Sequence, residues 1–233
     1  MVSIIIPIYN EAGTVEAVIT DIIKIMDATC SAYEIIAVDD KSTDDSLAKV
    51  KQIPGIRVLS HEKNKGVGAV RNTGLIASRG EIIIMIDADG TYPTAVIPKL
   101  IRKMDDCDMV IGQRNREVIR PIYLRWLIKH VLNKIVSLFL KEEIKDINSG
   151  LRIFRKKAII PFLDFMPCGH SWVSTSTIIF AKKNYKIQYL AIDYYPRIGR
   201  SSFHLFFDGI RILYCIIRAI IFIKNEDTTY KSA

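Results

Sequence analysis

Short runs rich in isoleucine and valine, separated by longer stretches of helical period, fill the first half of this chain and leave few folds open to it. The runs fall at residues 3–9, 34–38, 56–60, 81–86 and 108–112. Between the first two, apolar side chains recur at 15, 18, 19, 22, 23 and 26, the spacing of one helix face, which predicts a helix over 15–28. Such alternation predicts right-handed βαβ units around a largely parallel sheet with helices on both faces. At 233 residues and 49% hydrophobic, the chain is long enough for one substantial core and does not demand two.

Sheets of this kind bind ligands outside the carboxyl ends of their strands. Three polar clusters fall at those ends: Tyr9-Asn10-Glu11, Asp39-Asp40-Lys41-Ser42 and Asp87-Ala88-Asp89. The third follows the apolar run Glu81–Ile86 directly. Two carboxylates one residue apart are badly placed for a core, because an unpaired buried carboxylate is costly. A divalent cation, Mg²⁺ or Mn²⁺, removes that cost and needs only one or two protein carboxylates when phosphate oxygens complete its shell. An acidic turn facing water is the plainer alternative for a lone pair of this kind.

Charge divides the chain unevenly. Residues 1–112 carry 12 Lys and Arg against 16 Asp and Glu, whereas residues 113–233 carry 21 against 9. The basic half calls for anionic partners such as a phospholipid surface or a phosphorylated substrate. It has no aromatic platform or module for nucleic acid, so none is expected. Four scattered cysteines (Cys30, Cys107, Cys168, Cys215) lack metal-ligand spacing and read as buried free thiols in a reducing compartment. No cleavable leader and no charge-free run of eighteen apolar residues are visible, so no spanning helix is expected.

Pro121 suits the first turn of a helix predicted over 122–140, with Trp126, Lys129, His130, Asn133, Lys134 and Ser137 on its polar face. Residues 203–223 are apolar nearly all round, apart from a narrow stripe of Asp208, Arg211, Cys215 and Arg218. A helix lying in a membrane interface fits this pattern, and a buried or oligomer-interface helix is the alternative. The polar tail 224–233 reads as disordered.

Taken in order, several of these segments carry a resemblance. Pro7-Ile8-Tyr9-Asn10-Glu11, Val38-Asp39-Asp40-Lys41-Ser42-Thr43-Asp44, Asp87-Ala88-Asp89 and Gly112-Gln113-Arg114 resemble the ordered motifs of inverting family 2 glycosyltransferases with the GT-A fold. Asp146–Arg155 and Tyr195–Ser201 resemble the branch that includes dolichyl-phosphate mannose synthase and bacterial polyprenyl-phosphate sugar synthases. The similarity runs from about residue 3 to 222.

The resemblance implies an α/β GT-A domain over 1–202, with a nucleotide-sugar half at 1–112 and an acceptor half at 113–202. An interface helix at 203–224 and a tail at 225–233 follow. It implies transfer of a hexose from a GDP- or UDP-linked donor to a polyprenyl or dolichyl monophosphate, by a protein peripheral to the cytoplasmic face of a membrane. Pro7, Tyr9, Glu11, Val38, Asp40, Asp87 and Ala88 would hold the nucleotide. Asp87, Asp89 and Thr91 would hold Mg²⁺ or Mn²⁺. Arg114 and Arg197 would grip phosphates, a task that suits the planar guanidinium, and Ser149, Arg152 and Arg200 would meet the acceptor phosphate. An anionic acceptor needs no strong general base, so orientation and electrostatics would carry catalysis.

Departures leave the sugar open: Arg200-Ser201-Ser202 stands where mannose synthases read Ser-Lys, Thr91 where archaeal relatives place an amide, and Ser174–Thr177 where an acidic residue is usual. Other readings are a transferase acting on a saccharide acceptor and a non-catalytic nucleotide-sugar binder, and self-association stays open. A dinucleotide-binding dehydrogenase has only Gly66-Val67-Gly68 in its favour, after the third strand and without a third glycine.

Overall fold

The computed structural model describes residues 1–29, 32–117, 133–134, 136–199 and 205–223. Its centre is a seven-stranded sheet in the order β3-β2-β1-β4-β6-β5-β7. The strands are β1 (Val2–Ile8), β2 (Tyr33–Asp39), β3 (Arg57–Ser60), β4 (Ile82–Met85), β5 (Met109–Glu117), β6 (Arg152–Arg155) and β7 (Ile187–Tyr194). β1 lies between β2 and β4 and pairs parallel with both, Ile4 standing beside Ile35 and Ile84. β6 alone runs antiparallel, Ile84 pairing with Ile153 and Met109 with Phe154.

The isoleucine run of β1 is wholly buried because both its faces are covered. Ile4, Ile6 and Ile8 join a core with Val15, Ile19, Ile22 and Met26 of α1 (Val15–Thr29). The alternate residue Ile5 enters a second core on the opposite face. That second core takes Leu75 from α3 (Val67–Ala77), which follows the short α2 (Ser46–Lys51) in the chain. α4 (Ile97–Lys103) adds Ile97 and Leu100 to the first. Trp172 and Phe180 of α5 (Trp172–Lys182) and Ile212 and Ile216 of α6 (Leu205–Phe222) complete the second.

All five expected strands are present, displaced by a residue or two, and β5 continues to Glu117. β6 and β7 are additions to the sequence reading. Of the expected helix 122–140, only residues 133–134 and 136–140 are described, and they are helical. Its polar face is split there, with Lys134 exposed and Asn133 buried. Asn133 and Ser137 turn inward and hold the following loop, through Asn133 Nδ2 to Lys145 O (2.8 Å) and Ile144 N to Ser137 Oγ (2.8 Å). Leu138 and Phe139 stand exposed. Buried backbone groups need partners, and the polar side chains supply them where apolar ones could not.

Gly66 and Gly68 serve packing. A Cβ at Gly68 would lie 2.1 Å from Pro167 O, and the Cys168 carbonyl accepts from the amides of Gly68 (2.6 Å) and Ala69 (3.1 Å) at the start of α3. Two of the orphan donors of a helix N-terminus are thereby satisfied by the chain itself, which removes the dinucleotide reading. Among the described residues Cys107, Cys168 and Cys215 are free, and Cys168 is exposed, against the expectation of burial. No helix among them is long and apolar enough to cross a membrane. The tail 224–233 lies outside the described residues.

Candidate active site

Loops at the carboxyl ends of β1, β2 and β4 interlock. Asn10 and Lys41 both adopt positive φ (57° and 63°), so each chain turns sharply as it leaves its strand. Asn10 N donates to Ser42 Oγ (3.1 Å) and Asn10 Oδ1 accepts from Thr43 N (2.8 Å). Glu11 N donates to Ser46 Oγ (2.7 Å), and Thr14 Oγ1 donates to Ala88 O (2.7 Å). Three segments distant in sequence thus form one rim.

On that rim sit Glu11, Asp87, Asp89 and Arg197. The Arg197 guanidinium donates to Asp89 Oδ2 (Nη1, 3.1 Å) and to Glu11 Oε1 through Nη2. Asp89 Oδ1 accepts from Thr91 N (3.1 Å) and Thr91 Oγ1 (2.7 Å). Burial first and the neighbouring Asp87 second push the Asp89 carboxyl above its usual range. Burial raises Glu11 to about 7, against the opposing pull of Arg197 and with further push from Asp89, Asp87 and Asp44. Acids so perturbed sit where positive charge is wanted.

Asp87 is held differently. Its Oδ1 accepts from Arg71 Nη2 (2.8 Å), and Arg71 lies buried in α3 with its carbon Cζ 5.9 Å from the Trp172 ring centroid. Asp87 Oδ2 lies 2.2 Å from where a Cβ on Gly150 would be, so only glycine leaves this oxygen its place. Gly150 N donates to Tyr92 Oη (2.7 Å), and burial keeps the Tyr92 phenol protonated by raising its pKa.

Several expected site residues take other roles. Arg114 forms a two-pronged pair with buried Asp146, Nε to Oδ2 and Nη2 to Oδ1 at 2.8 Å each, and lies over Tyr194 (5.2 Å to the centroid). Its fork grips a carboxylate of its own chain, as that of Arg197 does. Arg152 is completely buried and donates to Ser149 O, Val173 O (2.7 Å) and Ser176 Oγ (2.7 Å). Burial pushes its pKa down to about 9, so it stays charged at neutral pH inside a shell of neutral acceptors. Ser149 is equally buried. Neither is placed to meet an acceptor phosphate.

Asp40 turns away from the rim. Its carboxylate contacts His61 Nδ1 (2.7 Å) and accepts from Lys65 N (2.9 Å) and Gly66 N (2.7 Å), with three of about four lone-pair sites engaged. It shapes the loop before α3. Pro7, Val38 and Ala88 are buried and form the floor, whereas Tyr9 is partly exposed beside it. Thr91 supports Asp89 through its N–H and hydroxyl. Arg200 lies outside the described residues.

Among the described residues no three His, Cys, Asp or Glu side chains form a ready metal cage. Asp87 and Asp89, two hard oxygen donors at the end of β4, fit a divalent cation whose remaining ligands come from a substrate.

The model of the Glycosyl transferase family 2 matches residues 3–162, more than half the chain. The chain belongs to that family. It is 29% identical over 215 residues to the low-salt glycan biosynthesis hexosyltransferase Agl6 of Haloferax volcanii, covering 90% of this chain and 51% of that protein. The dolichol-phosphate mannosyltransferase of Pyrococcus furiosus is 30% identical over 177 residues, 72% of this chain and 49% of that one. The yeast dolichyl-phosphate beta-glucosyltransferase (Saccharomyces cerevisiae) is 26% identical over 239 residues, 90% of this chain and 71% of that one. The chain therefore spans about half the length of the first two. Among solved structures, glucosyl-3-phosphoglycerate synthase from Mycobacterium tuberculosis, in complex with Mn²⁺, UDP and phosphoglyceric acid, superposes with a TM-score of 0.76. That match is at 18% identity over 98% of this chain and 80% of the other. It shows the fold, the GT-A fold expected.

Arg71, Tyr92 and Asp146 escaped the sequence reading. Arg71 stands in mid-helix between Val70 and Asn72, where an arginine reads as solvated surface. Its one available signal was that the apolar face of α3 continues through it, since Val70, Leu75 and Gly74 are buried beside it.

Proposed function

We propose that this protein transfers a hexose from a GDP- or UDP-linked donor to a polyprenyl monophosphate, with inversion at the anomeric carbon, while lying on the cytoplasmic surface of a membrane. The observation that carries the transfer is the paired Asp87 and Asp89 at the carboxyl edge of β4, each compensated by an arginine. A divalent cation bound there, Mg²⁺ or Mn²⁺, would act as a Lewis acid on the leaving diphosphate. The chain's own residues do the rest. Thr91 orients Asp89, Arg71 orients Asp87, and Arg197 supplies a planar donor to Asp89 and Glu11.

The acceptor class rests on two further features. Curated relatives bear the names dolichol-phosphate mannosyltransferase and dolichyl-phosphate beta-glucosyltransferase. α6 exposes Ile210, Leu213, Tyr214, Ile217, Ile221 and Phe222 on one face, a surface suited to lipid.

The test incubates purified protein with a panel of sugar nucleotides, polyprenyl phosphate in liposomes, and Mn²⁺, followed by mass analysis of the lipid fraction. A sugar-phosphate lipid is the expected product. Turnover only with a soluble phosphorylated or saccharide acceptor would reject the lipid, nucleotide binding without turnover would make the protein a binder, and full activity in excess chelator would reject the cation.

A further inference from the structure

We propose that Arg197 is a resident counter-ion that occupies the cation's place on Asp89, so that a divalent ion enters together with a nucleoside diphosphate and not before it. The inference rests on the site being the donor site proposed above, and concerns the order in which that site fills.

Four observations support it. Asp89 has one carboxylate oxygen, Oδ1, engaged by the amide and hydroxyl of Thr91, so Oδ2 is the oxygen left for a metal. Oδ2 is the atom that Arg197 Nη1 bonds at 3.1 Å. The same guanidinium reaches Glu11 through Nη2, so one side chain bridges β1 and β4 loops from outside the sheet core. Its third nitrogen, Nε, is buried and has no acceptor. A guanidinium with one buried N–H unsatisfied carries a donor that an incoming oxyanion could take up.

The segment bearing Arg197 is lightly held. It leaves β7 at Tyr194, and Tyr195 N donates to Thr91 O (3.0 Å). Tyr195 and Ile198 are exposed, and Gly199 turns the chain at φ 105°. The ion pairs of Arg197 are therefore its chief attachment to the rim among the described residues. Asp87 is compensated separately by Arg71, which is fixed within α3.

Electrostatics then sets the order. A bare divalent cation arriving at Asp89 Oδ2 meets a positive group within bonding distance of the same atom, and like charges that close exclude one another. A cation arriving on a diphosphate brings negative charge with it, and Arg197 can exchange its carboxylate partners for phosphate oxygens. The displaced guanidinium then lies against the leaving group, where its fork adds to that of the metal.

The test measures Mn²⁺ binding by the electron paramagnetic resonance signal of the free ion, with no nucleotide and then with UDP or GDP. Wild type is expected to bind bare Mn²⁺ weakly and to tighten sharply with nucleotide. Arg197→Met is expected to bind bare Mn²⁺ about tenfold tighter than wild type, and Arg197→Lys, which keeps the charge, to stay near wild type. Bare Mn²⁺ binding no tighter in Arg197→Met, or equally tight in the Lys and Met variants, overturns the proposal. So does tight binding that survives Asp89→Asn, because the ion is then elsewhere. In wild type, which avoids any question of folding, saturating Mn²⁺ alone should speed amide hydrogen exchange at 195–199, and unchanged exchange also overturns it. Failure of sugar transfer with this metal behaviour intact would reject the enzymatic reading alone.

Discussion

At the scale of single residues, Gly150 decides where Asp87 can stand. A methyl group there would lie 2.2 Å from Asp87 Oδ2 and 3.2 Å from Tyr92 Oη. Gly150→Ala is predicted to displace the carboxylate by a fraction of an ångström or more, and to lower kcat about 100-fold while leaving far-ultraviolet circular dichroism unchanged. Wild-type turnover in that variant would remove Asp87 from the reaction. Glu11 makes a pH prediction. Its folded-state pKa is raised to about 7 from an ordinary 4.5, so the folded chain holds this proton more tightly than the unfolded one. The stability this proton confers is fully present below about 4.5 and is lost as pH rises through 7. In metal-free buffer the Tm of Glu11→Gln relative to wild type should therefore climb between those two values and level off above them. A gap independent of pH would mean that Glu11 ionises as an ordinary surface acid. The acids themselves were legible in the sequence, because two carboxylates beside an apolar run are conspicuous. Their arginine partners were only half legible: Arg197 lay in a recognisable motif, whereas Arg71 sits on a helix face whose burial depends on the whole sheet.

At the scale of elements, the parallel strands β1 to β4 were readable because burial on both faces demands an unbroken apolar run. β6 was not, since Arg152-Ile153-Phe154-Arg155 offers two arginines to two apolar residues. The fold resolves that conflict by burying Arg152 among the carbonyls of Ser149 and Val173 and the hydroxyls of α5, which also explains the run Ser174-Thr175-Ser176-Thr177 in a helix otherwise apolar. A serine and threonine row that read as a lost acidic residue is in part a cradle for a guanidinium. Arg152→Met is predicted to leave these acceptors without donors and to destabilise the protein by about 3 kcal/mol, seen as a lower urea midpoint at unchanged slope. If the midpoint holds, the buried charge is not integral to the β6–α5 contact. The inward turn of Asn133 and Ser137 has a similar cause. Periodicity set them on a polar face but could not say that they were needed inside, to pair with the 144–147 backbone.

At the scale of the whole molecule, the rim and the outer face of α6 are two surfaces left uncovered among the described residues. α6 is neither wholly interfacial nor wholly buried. Ile212, Ile216, Ala219 and Ile223 pack against the domain, and Lys182 Nζ caps the helix end at Ile220 O and Ile223 O. Arg218, counted in the sequence as part of a polar stripe, lies over Phe165 at 4.1 Å. The helix is thus fixed on one side, and Tyr214, Ile217 and Ile221 face outward as a rigid apolar strip. Each such side chain stabilises a lipid-bound state by roughly 1.5–3 kcal/mol when fully covered. Replacing all three with glutamate is predicted to weaken partition onto anionic liposomes by more than about 100-fold, the charge adding repulsion to the lost burial. Because these positions are exposed, the variant should keep the wild-type Tm and its nucleotide affinity. If the strip instead joins two copies of the chain, the same variant would cosediment with liposomes as wild type does and change the mass seen by light scattering. Retained liposome binding at unchanged mass would dismiss α6 from both roles.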